Sequence, residues 1–86
     1  MAEIMENSEI KDLICKLFLG GDTGFPLEPD TDLLQEGICD SLALVQLAAQ
    51  LEAACPPIRI HDAEIIPENL GSIARIANFL KCKQAA

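Results

Sequence analysis

The sequence predicts an all-α fold: a small four-helix bundle of three main helices plus one short helix, with a long loop between helices 1 and 2. Three observations carry this. Apolar residues recur at helical spacing in two separate stretches. Between them, Ser41–Ala54 is apolar nearly all the way round, preceded by Asp40 and closed by Pro56-Pro57. Finally, half of the 86 residues are hydrophobic, mostly Leu, Ile and Ala, and only 3% are aromatic. That content is too apolar for a disordered acidic chain, whose few apolar groups could not offset the entropy of ordering it.

The first helix is read from Ile10, Leu13, Ile14, Leu17 and Phe18, one stripe at i, i+3, i+4, i+7 and i+8. Asn7 or Ser8 is the candidate cap, or the helix begins near Glu3. Gly20-Gly21 ends it, since glycine takes the left-handed conformation that closes helices. Residues 20–40 then form a long connection broken by Gly20, Gly21, Gly24, Pro26 and Pro29. A connection of this length points to a functional or well-packed loop. Phe25, Leu27, Leu33, Leu34 and Ile38 are its expected anchors, with a single turn at 32–36 before Gly37. The second helix starts at Asp40 or Ser41, both good N-cap types, and runs to about Cys55. Leu47 and Leu51 are read as core positions. Because one stripe suffices for packing, the excess apolar surface of this helix points to a partner. Ile58 and Ile60 alternate briefly, as in extended chain. Pro67–Leu70 suits one short helical turn with Pro in a first-turn position. Ser72 caps a last helix carrying Ile73, Ile76, Ala77 and Leu80, with Phe79 beside them. Lys81 and Lys83 sit at its C-terminal end, where positive charge favours the helix dipole.

The length fits one domain, residues 1–86. Fourteen acids against six bases give a net charge of −8, and the excess is unevenly placed. Residues 1–40 hold ten acids and two bases, whereas residues 41–86 hold four of each. This balance disfavours nucleic acid and anionic membrane surfaces as partners, because both need clustered Lys and Arg. No stretch approaches the length of a membrane span, and no signal peptide is expected at Met1–Glu9. A cytoplasmic monomer is the expectation. Cys15, Cys39, Cys55 and Cys82 form no CxxC pair, and the single His61 completes no zinc spacing, so no metal is expected. The thiols are read as reduced, with Cys15 and Cys55 as small core hydrophobes. A Ser–His–Asp arrangement would rest on His61 alone, without an oxyanion signature. The chain is therefore not expected to be an enzyme.

The strongest local feature is Glu36-Gly37-Ile38-Cys39-Asp40-Ser41-Leu42, where the long loop meets the apolar helix. Taken alone, it is explained by a helix cap at Asp40 or Ser41. Residues 30–47, DTDLLQEGICDSLALVQL, and 65–80, IIPENLGSIARIANFL, together resemble the acyl carrier protein family. The first matches its attachment loop and second helix, and the second its third and fourth helices. The similarity covers almost the whole chain, in the family's order and spacing.

The resemblance implies that Ser41 carries 4′-phosphopantetheine as a phosphodiester, that Asp40 is read by a phosphopantetheinyl transferase, and that Leu42 flanks the arm. Acyl or aminoacyl groups would be held as thioesters on that arm. The implied partners are the transferase, an acyl- or aminoacyl-activating ligase or synthase, and a downstream acyltransferase. Leu42 and Val45 would meet them by apolar contact, with Asp30, Asp32 and Glu36 steering approach. Two departures point away from a general fatty-acid role. Gly37 lies four residues before Ser41, a spacing similar to the D-alanyl and stand-alone carriers, and the second helix carries only Glu52 as a charge. Cys39 stands where the family has an aliphatic residue. The alternative is a helical protein–protein interaction module without a prosthetic group, Ser41 acting only as a helix cap.

Overall fold

The computed structural model describes residues 6–21, 27–55 and 58–85, with side chains as far as Lys83. Among them are four α-helices and no strand: α1 Asn7–Phe18, α2 Ser41–Ala54, α3 Pro67–Leu70 and α4 Ile73–Ala85, with a 3-10 turn at Asp62–Glu64. The expected three main helices and one short helix are all present. None of the helices is long and apolar enough to cross a membrane. The anchor Phe25, the breakers Gly24 and Pro26, the stop at Pro56-Pro57 and a helix start near Glu3 lie outside the described residues.

The four helices meet through their buried apolar residues. Ile10 and Ile14 of α1, Leu44, Leu47 and Leu51 of α2, Leu70 of α3, and Ile73, Ile76 and Leu80 of α4 form one core. Cys15, Cys39 and Cys55 are buried with them, and Cys82 is exposed. In backbone proximity α4 lies against α1 and α3, and α2 lies beside α3, its buried face joining the same core.

Helix ends show where local sequence is ambiguous. The cap position of α1 is Glu6, not Asn7 or Ser8. Its N–H donates to Glu9 Oε1 at 3.0 Å, so an acid in the first turn reaches back over the helix start. At the other end Gly20 and Gly21 both have positive φ, 64° and 85°, and the Gly21 N–H donates to the Cys15 carbonyl. Ser72 caps α4 as expected, its hydroxyl accepting from the Arg75 N–H at 3.1 Å.

The long loop is stapled to the junction of α3 and α4. Leu27 and Leu33 are buried, and Leu34 and Ile38 pack against the core. Two backbone bonds add to this. The Leu33 N–H donates to the Gly71 carbonyl, and the Ala74 N–H, an otherwise orphan donor in the first turn of α4, donates to the Pro29 carbonyl, each at 2.8 Å. The loop therefore completes the α3–α4 junction.

Lys83 does more than complement the helix dipole. Its ammonium donates to both carboxylate oxygens of Glu64, at 2.9 and 3.1 Å, and lies 5.9 Å from the centre of the Phe79 ring. Glu64 also accepts from the His61 N–H at 2.9 Å. That backbone bond, and after it Lys83, hold the Glu64 carboxyl below the usual carboxylate range. Because the folded value is the lower one, the resulting stability is complete above the ordinary Glu pKa of about 4.3 and is lost as pH falls through the folded value. Glu64→Gln should therefore make acid unfolding less steep below about pH 4. Urea midpoints measured through that range check it, and parallel curves for the two proteins would rule it out.

Candidate functional site

The loop reaches α2 through one tight turn. Asp32 Oδ1 accepts from the N–H groups of Leu34 and Gln35, at 3.1 and 3.0 Å. The Glu36 N–H returns to the Asp32 carbonyl at 3.0 Å. Gly37 then adopts φ 74°, a left-handed conformation that side-chain-bearing residues rarely take. Beyond it, the Ile38 and Cys39 N–H groups both donate to the Leu33 carbonyl. This fold-back places Asp40 at the start of α2.

Asp40 is the cap. Its backbone is extended, and its Oδ1 accepts from the Ala43 N–H at 2.8 Å. Ser41 is the first helical residue, with its side chain exposed. Of the two cap candidates, Asp40 and Ser41, the structure selects Asp40, whose carboxylate takes the free amide, so the alternative in which Ser41 acts as the cap is corrected. Among the described residues, the N–H groups of Ser41 and Leu42 have no hydrogen-bond partner.

Beside the Ser41 hydroxyl lies an open groove of about 410 Å³. Leu34, Gly37, Ile38 and Cys39 line it from the loop, and Asp40, Ser41 and Ala43 from the helix start. Leu34, Gly37 and Ile38 were legible in the sequence as loop anchors and a turn glycine, but not as the wall of a site. Cys39 is a poor nucleophile here, since burial and then the charges of Asp40 and Asp32 push its thiol pKa up.

Leu42 is 81% exposed and Val45 53% exposed on the helix beyond the groove. Leu47 and Leu51 are fully buried. The structure therefore separates exposed from core positions along α2, with Leu47 and Leu51 in the core as the sequence predicts. Glu36 and Asp30 are exposed on the loop, outside the groove lining. Asp32 is half-buried, and one of its oxygens is occupied by the turn it caps. The one charge on α2, Glu52, turns inward: its Oε2 accepts from the Ile60 N–H at 2.7 Å. Nothing in the local sequence signals that bond. Among the described residues, no three of His, Cys, Asp and Glu converge as metal ligands. His61 is exposed, at the start of the 3-10 turn.

The chain matches no protein-family model, no curated protein and no solved structure.

Proposed function

We propose that the protein is a carrier holding acyl or aminoacyl groups as thioesters on a 4′-phosphopantetheine arm attached through Ser41. The observation that carries this is the placement of Ser41: an exposed hydroxyl at the first position of a 14-residue helix, beside an open groove. The residues present fit such an arm. The amides of Ser41 and Leu42 are available to a phosphate, at the end of the helix where the dipole favours an anion. When attached, the arm supplies the thiol on which cargo is carried.

The chain's own part is positioning. Asp40 holds the helix start in place while leaving the neighbouring hydroxyl open to a transferase. Leu42 and Val45 offer apolar contact next to the attachment point, and Asp30 and Glu36 favour approach by basic surfaces at low salt. Tethering raises the effective concentration of cargo for each successive enzyme. The protein itself catalyses no step. Its partners are the transferase, a cargo-activating ligase or synthase, and an acyltransferase.

Incubation with coenzyme A and a phosphopantetheinyl transferase, followed by intact-mass measurement, tests the proposal. The wild type is expected to gain one phosphopantetheine group, and Ser41→Ala none. An unmodified wild type, or equal modification of the variant, would overturn it. A wild type that stays unmodified in its native host as well would favour the interaction module, with Leu42 and Val45 as its contact surface.

A further inference from the structure

We propose that the groove beside Ser41 seats the base of the phosphopantetheine arm, the branched dimethyl segment next to its phosphate, against Leu34, Ile38 and Ala43. The inference rests on the carrier reading and adds to it a binding site for the arm itself.

The groove begins at the attachment residue, since Ser41 is part of its wall. Whatever is tethered to that hydroxyl therefore meets the groove through its nearest atoms first. The polar groups of the wall are already engaged. The Gly37 N–H donates to the Leu34 carbonyl at 3.1 Å, and those of Ile38 and Cys39 donate to the Leu33 carbonyl at 2.9 and 3.2 Å. Asp40 is the one charged residue of the wall, and its Oδ1 is taken by the Ala43 N–H. Among the described residues, no cation lines the groove. What the wall offers is apolar contact. Leu34, Ile38 and Ala43 are half-buried, packed against the core and lining the groove. A site of about 410 Å³ built this way suits an uncharged group bearing hydrocarbon, and not an anion.

The parts of the arm differ in how they meet such a wall. The phosphate belongs at the helix amides. The segment after it, within a few bonds of the Ser41 oxygen, carries two methyl groups on one carbon and no charge. Beyond that, two amide links lead to the thiol, and their polar groups are better hydrated than buried here. The dimethyl segment alone matches the groove in both place and chemistry. Burying its two methyl groups favours the seated form by about tenfold before the cost of ordering the arm, so seating is reversible. Leu34, Ile38 and Ala43 are thus positioning residues, which hold the base of the arm and leave its thiol end to the partner enzyme.

Wild-type protein loaded from coenzyme A by a transferase, with the added mass confirmed, tests this. Contacts between the unlabelled arm and isotope-labelled protein are read by NMR. Cross-peaks are expected from the arm's methyl protons to Leu34, Ile38 and Ala43, whose signals should also shift between unloaded and loaded protein, while Val45 shows neither. Ala43→Leu fills the groove from the helix side with little change in helix propensity. In its loaded form the cross-peaks to Leu34 and Ile38 should fall at least threefold, and undiminished cross-peaks would count against the groove. The wild-type measurement decides the matter whether or not the variant folds. Loaded wild type without these cross-peaks, or with them at Leu42 and Val45 instead, would overturn the inference and leave the carrier reading standing. Contacts that arise only from an acyl group placed on the thiol would overturn it as well, making the groove a cargo site. A wild type that gains no mass overturns both.

Discussion

Leu33→Ala is expected to lower stability by about 2–5 kcal/mol. Leu33 is fully buried, although it belongs to a loop rather than a helix. Its N–H donates to the Gly71 carbonyl, and its own carbonyl accepts from the Ile38 and Cys39 N–H groups. Alanine keeps all three backbone bonds. The loss is therefore one of packing: the transfer free energy of the removed atoms plus the cavity left behind. At roughly 0.05–0.15 kcal/mol per residue, a chain of this length has a net stability of about 4–13 kcal/mol, so one such cavity removes a large share of it. Leu42→Ala is the matched control, because its side chain is largely in solvent and its removal should change stability by no more than about 0.5 kcal/mol. Urea denaturation of the three proteins reads both effects. A Leu33→Ala midpoint close to wild type would mean that the loop is held by its backbone staples alone.

The Leu33 anchor also shows what the sequence could convey. Apolar stripes in α1 and α4, the apolar run of α2 and the buried Leu27 and Leu33 are all visible, because burial acts through residue type and period. The cap of α2 was open between Asp40 and Ser41, since both types suit the position. The choice falls to Asp40 because its carboxylate reaches the Ala43 N–H. Glu6 occupies the cap of α1 although it is not among the favoured cap residues, because Glu9 reaches back to secure the helix start. What stayed hidden depends on which distant segments meet. Leu33 with Gly71, Pro29 with Ala74, Glu52 with Ile60 and Glu64 with Lys83 leave no trace in composition or period. The acidic character changes meaning accordingly. Glu9, Asp32, Asp40, Glu52 and Glu64 each accept a backbone N–H. Five of the fourteen acids therefore cap or brace the backbone. Asp30 and Glu36 remain as exposed charges leading to the groove.

Ser41→Ala and Asp40→Ala are expected to separate chemistry from folding at neighbouring positions. Ser41 is exposed at the first position of α2, and alanine is the best helix former, so Ser41→Ala should leave the urea midpoint within about 0.5 kcal/mol of wild type. Under the carrier proposal the same change removes the attachment oxygen and with it all phosphopantetheine loading. Asp40→Ala should do the converse. It orphans the Ala43 N–H and removes a negative charge from the positive end of the helix, at a cost of about 0.5–2 kcal/mol. The hydroxyl remains, so loading of Asp40→Ala should persist but slow, as the helix start frays and the transferase loses its neighbouring carboxylate. Asp40→Asn is the discriminating variant. Asn caps as well as Asp, so stability should return while the charge does not. If loading returns with stability, Asp40 acts through the helix start. If loading stays slow at restored stability, the transferase reads the charge itself. A Ser41→Ala loss of stability as large as that of Asp40→Ala would contradict the assignment of the cap to Asp40 and restore the view of Ser41 as a structural residue.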